Sequence, residues 1–173
     1  EVIYGDDGSV AGVITQDMGI AADGSQKPDF QPGMEIHAKY TLFAEGARGS
    51  LTKQLKAKFD LEKDCQPQTY GLGIKELWEI DPKKHVPGRV IHTQGWPLDN
   101  DSWGGGFLYH IGDNQVALGF VTALDYANPY LAPYHEFQRW KHPPAIAAIL
   151  EGGKRVAYGG RVINEGGWQS VPK

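Results

Sequence analysis

Cysteine is almost missing from this chain: Cys65 stands alone. One thiol closes no internal disulfide, and it cannot by itself supply a Cys-rich metal or iron–sulfur site. A reducing compartment is compatible with that usage. Long apolar runs are also missing; none approaches the ~20 residues that cross a bilayer as a helix. Excess positive charge is missing too, with 17 Lys and Arg against 21 Asp and Glu and a formal net charge of −4. A chain with no broad basic field is a poor match for a polyanion, so no nucleic acid is expected as a partner. The six histidines lack metal-site spacing: His92 and His110 fall in separate expected strands, and His135 and His142 are seven apart. No Gly-x-Ser-x-Gly elbow occurs, the serines have no evident base partner, and no acidic pair stands out, so hydrolysis has little support. The opening Glu1-Val2-Ile3-Tyr4 has neither an initiator Met nor a charged-then-apolar leader. The expectation is a segment of a longer polypeptide.

What is present is ordinary globular material. Hydrophobic residues make up 40% and charged residues 22% of 173, enough for one good core or for one domain and part of a second. The 23 glycines and 11 prolines predict many turns and few long helices. Val2–Tyr4 and Val10–Thr15 are short β-rich runs around an Asp-Gly turn. Residues 21–33 read as a polar loop. Residues 34–44 read as one long strand, alternating at Ile36, Ala38 and Tyr40 and then continuously apolar. Leu51, Leu55 and Phe59 mark one face of a helix with Ser50 as a plausible N-cap. Lys53, Lys56 and Lys58 lie off that face, on a solvated side. From Thr69 the texture turns to strands, over residues 70–80, 88–96, 105–111 and 115–122. Their short connections predict an antiparallel meander. Tyr134, Phe137 and Trp140 share a helix face, Pro143-Pro144 opens another helix, and residues 154–163 form a last strand. Trp78, Trp96 and Trp140 are expected in the core; Tyr126, Tyr130 and Tyr134 are the better candidates for a surface role, with core or loop packing as the first reading for them.

Two motifs are candidates for chemistry. In Leu42-Phe43-Ala44-Glu45-Gly46-Ala47-Arg48-Gly49-Ser50 a strand, a Gly-rich turn and a helix follow one another. That order presents backbone N–H groups at a helix N-terminus and suits an anion; as a bare pattern it reads first as an ordinary turn with Arg48 on the surface. The run resembles the internal nucleotide motif of FAD enzymes in the glutathione-reductase superfamily. In Trp103-Gly104-Gly105-Gly106-Phe107, three glycines stand between bulky aromatics at a strand start. Such glycines mark either a close approach of backbone to a ligand or a bulge or bend. With a ligand, their polar groups would meet a head group while Trp103 and Phe107 line an apolar slot.

Longer stretches carry a family resemblance. Pro67-Gln68-Thr69-Tyr70-Gly71-Leu72-Gly73-Ile74-Lys75-Glu76-Leu77-Trp78, Gly95-Trp96-Pro97-Leu98-Asp99 and Glu136-Phe137-Gln138-Arg139-Trp140-Lys141-His142 are three of them. With Leu150 to Arg155 and Asn164-Glu165-Gly166-Gly167, they resemble the electron transfer flavoprotein–ubiquinone oxidoreductase family in unbroken order. The resemblance implies an α+β fold: a mostly antiparallel sheet with a helical layer, plus partial strands of a glutathione-reductase-type FAD domain. It implies a partial FAD-binding domain over residues 1–65, a ubiquinone-binding domain over 66–163, and a return segment over 164–173. It implies electron flow from reduced electron transfer flavoprotein to ubiquinone through FAD and a [4Fe–4S] cluster. The location implied is peripheral on the mitochondrial inner membrane or a bacterial cytoplasmic membrane. Gly104 and Gly105 match the family's quinone-contacting glycines, with Trp103 and Gly106 in place of the more usual Tyr and Ser. Glu45, Gly46 and Arg48 match the FAD-side motif. The main FAD fingerprint and the four cluster cysteines lie outside these residues, so the segment alone is expected to be inactive. A cluster-free relative, such as a FixC-like dehydrogenase or a geranylgeranyl reductase, and a stand-alone β-rich binding module remain as alternatives.

Overall fold

A computed structural model describes all residues, Glu1–Lys173, which divide into two compact units, Glu1–Leu61 and Glu62–Lys173. The first unit contains β1 (Val2–Tyr4), β2 (Val10–Ile14), β3 (Met18–Ile20), β4 (Gln26–Gln31), β5 (Glu35–His37) and α1 (Ser50–Phe59). β1, β2 and β5 form an antiparallel sheet, and β3 pairs with β4. The β1–β2 turn works as its sequence suggests. Asp7 accepts from the Ser9 N–H at 2.9 Å and the Ser9 hydroxyl at 2.7 Å, and Gly8 takes φ 79°.

The β3–β4 hairpin replaces the loop expected over residues 21–33. Its turn repeats the same chemistry, with Asp23 accepting from the Ser25 N–H and hydroxyl and Gly24 at φ 85°. β4 is almost wholly exposed, so it has no apolar alternation by which to announce itself. The long strand expected over residues 34–44 is also corrected. Regular pairing stops at His37, and Leu42, expected in a buried strand, is 88% exposed. No strand in the chain pairs with residues 39–44, and an apolar run is buried only where another layer covers it. α1 forms as expected, burying Leu55, with Lys56 and Lys58 in its last turn.

The second unit is built on a five-stranded antiparallel sheet. Its elements are β6 (Tyr70–Glu79), β7 (Val90–Gln94), β8 (Gly104–Ile111), β9 (Gln115–Ala123), α2 (Pro133–Trp140), α3 (Pro144–Leu150) and β10 (Lys154–Asn164). The spatial order is β10-β6-β9-β8-β7. The expected meander holds for β7-β8-β9. β6 leaves it and lies between β9 and β10, because the chain crosses the sheet through a 3-10 turn at Pro82–Lys84 before entering β7. The α+β class inferred from sequence is the class observed.

Period-two alternation gives the sheet two distinct faces. One face carries Leu108 of β8 and Val116, Leu118 and Phe120 of β9. These pack against Phe137, Trp140, Ile146, Ile149 and Leu150 of the helices to form the core. Proline occupies the first turn of both α2 and α3, where its missing N–H costs nothing. Trp140 lies under β8, and its indole N–H donates to the Thr93 hydroxyl at 2.7 Å. A Cβ on Gly106 would lie 2.6 Å from the Trp140 ring atoms Cζ2 and Nε1, so Gly106 is the space the indole needs. Trp96 is corrected: it is 53% exposed, in the turn after β7, with the Arg139 guanidinium 5.9 Å from its ring centroid. No helix is long and apolar enough to cross a membrane.

Of the polar side chains buried in this unit, two are titratable. Glu76 on β6 accepts from the Trp78 indole at 2.7 Å, pairs with Lys141 at 2.9 Å and pairs with Arg155 at 3.2 Å. His110 on β8 accepts the Val86 N–H at Nδ1, 3.1 Å away, pinning the loop before β7. Burial, and then the charges of His85 and Arg89, hold the His110 pKa below its ordinary 6.5. A histidine with a depressed folded pKa stabilises the fold above the unfolded value, and that stability is lost as pH falls through the folded value. Thermal stability is therefore expected to decline as pH drops below 6.5, and His110→Gln to remove that part of the decline. Melting curves across that range, wild type against variant, are the check.

Candidate functional site

Neither helix of this unit covers the second face of the sheet. β8 presents Gly105, Phe107 and Tyr109 there, while Gly104, Gly106, Leu108 and His110 turn inward. β9 adds Ala117, Gly119 and Val121, and β7 adds His92 and Gln94 opposite Phe107 and Gly105. The Phe107 ring lies over Gly119: a Cβ there would come within 2.6 Å of the ring. Tyr109 stacks on Phe107 with centroids 4.7 Å apart, and its hydroxyl is 3.1 Å from His92 Nε2. Beside this aromatic row runs a shallow groove of about 680 Å³, lined by Gly73, Leu77, Phe107, Val121, Ala157 and Ile163. Its floor is low because glycines alternate with aliphatics, and Lys75 and Arg161 add cationic groups to its walls. A flat, mostly apolar ring with a few acceptor oxygens suits such a surface.

The residues singled out by sequence are distributed unevenly. Trp103 is 53% exposed and its carbonyl accepts the Ala123 N–H. Gly104 faces the helical layer, beside Leu98 and the Val121 carbonyl, and its own carbonyl accepts the Gly95 N–H at 2.9 Å. Gly105 faces the open side, where a Cβ would press on β7 at Thr93 and Gln94. Close packing between strands therefore accounts for much of the triple glycine, and only Gly105 and Phe107 share the open face. Sequence reasoning misses His92, Tyr109 and the glycine floor at Gly73 and Gly119. Their signal is the register of the strands, which puts them on the face of Gly105 and Phe107.

In the first unit Glu45 does not wait for an external ligand. Its carboxylate accepts from the Leu51 N–H at 3.1 Å, the Thr52 N–H at 2.7 Å and the Thr52 hydroxyl at 2.8 Å. Those bonds, the Leu51 N–H first, lower its pKa below the ordinary value. Glu45 is thus the side chain that caps α1, in place of Ser50: the N-cap residue is Gly49, with no side-chain cap of its own. Gly46 takes φ 80° with open space where a side chain would stand, and Arg48 is exposed. An anion at this turn would meet Gly46 and Arg48, while the first helical N–H groups are already bonded to Glu45. Glu45→Ala is expected to loosen the first turn of α1, read as faster amide exchange at Leu51 and Thr52.

Comparison with known proteins bears on the second unit directly. A family model described as "ETF-QO, ubiquinone-binding" matches residues 70–163, a range that holds all five strands of the large sheet up to Ile163 and both helices. Along its whole length the chain is 60% identical to the mitochondrial electron transfer flavoprotein-ubiquinone oxidoreductase of Sus scrofa and 61% identical to that of Homo sapiens. The Arabidopsis thaliana protein of the same name is 58% identical over 99% of the chain. The chain spans 28% of the length of each of these relatives. Among solved structures, a triple mutant of the flavin-dependent brominase Bmp2 superposes with a TM-score of 0.51 at 12% identity, covering 95% of this chain and 38% of the other, which is a likeness of fold. With more than half its residues matched by the family model, the chain belongs to the ETF-QO ubiquinone-binding family.

Proposed function

We propose that this chain is the quinone-binding part, with an adjoining piece of the FAD-binding part, of a flavoprotein oxidoreductase. That enzyme passes electrons from reduced electron transfer flavoprotein to ubiquinone at a membrane surface. The observation that carries the reading is the open sheet face within the matched residues, where Gly105 and Phe107 lie beside an apolar groove. Ubiquinone fits this face by its chemistry: a flat ring to lie on Phe107 and the glycine floor, carbonyl oxygens for polar groups at the rim, and an isoprenoid tail for the aliphatic groove. Trp103, exposed at the strand start, is placed to cover one edge of the ring. Gly104 holds the strand close to Leu98 and so positions Gly105.

FAD is the cofactor this reading requires, and it would supply the electrons. The turn at Gly46 and Arg48 fits a diphosphate or ribityl oxygen, with Glu45 fixing the helix behind it. The [4Fe–4S] cluster finds no ligand set here, because Cys65 is the one cysteine and no group of three His, Cys, Asp or Glu could hold a metal. Its ligands would come from other parts of the polypeptide. The domain limits proposed are residues 1–65 for the FAD part, 66–163 for the quinone part and 164–173 for the return segment. Those last residues hydrogen-bond to the start of the quinone part, Glu165 to Thr69 and Gln169 to Gln66.

The test is a visible spectrum of the full-length protein before and after adding ubiquinol as sole reductant. Flavin bands over broad iron–sulfur absorption, both bleached by ubiquinol, are expected. Flavin bands alone would point to a cluster-free relative, and a colourless protein would overturn the reading.

A further inference from the structure

Reduction of a quinone consumes two protons as well as two electrons, and the open face holds a pair of side chains suited to deliver them. Tyr109 is stacked on Phe107 and half-buried; His92, on the edge strand β7, is exposed to solvent. The Tyr109 hydroxyl and His92 Nε2 are 3.1 Å apart, and the rings are 5.4 Å apart between centroids. The register places His92 opposite Phe107, two residues along β7 from the Gln94–Gly105 pair. Resting on the reading of this face as the quinone site, we propose that Tyr109 and His92 form the proton relay from solvent to the bound quinone.

The step balances without further reagents. The two electrons would come from the reduced flavin that the proposed function requires in the intact protein. The Tyr109 O–H bond breaks as its proton passes to a quinone oxygen, and the phenolate oxygen takes the proton from Nε2 of the His92 imidazolium. Neutral His92 regains a proton from water, and a second passage completes the quinol. A histidine suits the solvent end because its two ring nitrogens let it release a proton at one and take one from water at the other. Other charged groups on this face are Lys75 and Glu79 on β6, Lys154 and Arg161 on β10, and Glu165 beside Gly71; β9 contributes no charge, only Gln115, Ala117, Gly119, Val121 and Ala123. None of these has a hydrogen bond to Tyr109 or His92, so the pair has a route to solvent of its own.

The experiment uses the full-length protein with its own cofactors and ubiquinone-1 as the quinone. Tyr109→Phe is expected to slow quinone reduction about 100-fold, the scale of a lost general acid, while ubiquinone-1 affinity, measured by quenching of protein fluorescence, stays within about twofold. His92→Gln is expected to slow quinone reduction as well and to change its pH profile. Unchanged rates and pH profiles in both variants would overturn the relay, and so would loss of ubiquinone-1 affinity in Tyr109→Phe, which would make the tyrosine a binding group. Phe107→Ala separates the two levels: normal ubiquinone-1 affinity in that variant would remove the quinone from this face altogether. Weakened affinity there with normal Tyr109→Phe kinetics would sink the relay alone.

Discussion

Phe107→Ala in the full-length protein is expected to raise the KM for ubiquinone about 10- to 100-fold, while flavin reduction by the partner flavoprotein keeps its wild-type rate. The magnitude is that of one aromatic face removed from an apolar ligand, roughly 1.5–3 kcal/mol. Phe107 is the right residue because its ring stands on the open face over Gly119, and no core side chain leans on it. Truncation leaves the sheet ladder and the helical layer untouched. The more obvious substitutions at the glycines are poorer probes. A side chain at Gly104 would strike Leu98 and the Val121 carbonyl, and one at Gly105 would strike β7, so either disturbs the sheet whatever binds there. Stopped-flow measurement of the two half-reactions distinguishes the outcomes, and an unchanged KM would refute the placement of the ring.

Glu76→Ala is expected to be the most destabilising single change on the sheet, by about 3 kcal/mol. The carboxylate is 1% exposed and satisfies the Trp78 indole, the Lys141 ammonium and the Arg155 guanidinium together. Removing it leaves Lys141, itself largely buried, without its anion. The figure sits at the low end for a broken buried pair because Arg155 is 40% exposed and regains water. Burial pushes the Glu76 pKa up, but the bonds from Lys141 and Trp78, the Lys141 charge and the Arg155 bond outweigh it and hold the pKa below 4.5. The sign follows from linkage: a depressed carboxyl pKa stabilises above the unfolded value, and that stability is lost as pH falls through the folded one. Denaturation curves of wild type and Glu76→Ala are thus expected to converge below pH 4.5 and to differ fully at neutral pH. Equal stability at neutral pH would contradict this role.

How much of this is readable in the sequence varies by element. β6, β8, β9 and the two helices of the second unit are marked by their own alternation, prolines and glycines, because the core they face lies within the chain; β10 is legible by composition alone, since all its residues are exposed. Phe137 and Trp140 turn inward at helical spacing, as expected; Tyr134, on the same spacing, stays half-exposed at the helix start. Residues 34–44 mislead because apolar composition reports a demand for burial, and no strand here meets it. The hairpin β3–β4 is hidden by its polar strand. Trp96 is hidden by the turn it occupies, since aromatic content alone does not say which side of a turn faces solvent. At the site, the glycine run is visible but its meaning is divided. Gly106 makes room for Trp140, Gly104 for Leu98, and Gly105 alone turns to the open face. Glu45 is visible as part of a nucleotide-type turn, yet its carboxylate is committed to α1, a bond that joins residues six and seven apart in sequence and leaves no local pattern. His92 and Tyr109 meet only through strand register, which sequence spacing does not reveal.

The most direct measurement is photolabelling of the full-length protein by a ubiquinone analogue with a photoreactive head group, followed by peptide mapping. Labels confined to residues 103–109, at the start of β8, and to β7 between His92 and Gln94, and competed away by ubiquinone, are the expected result. Competed labels lying outside the second unit, with none on β7 or β8, would contradict the assignment of this sheet face to the quinone.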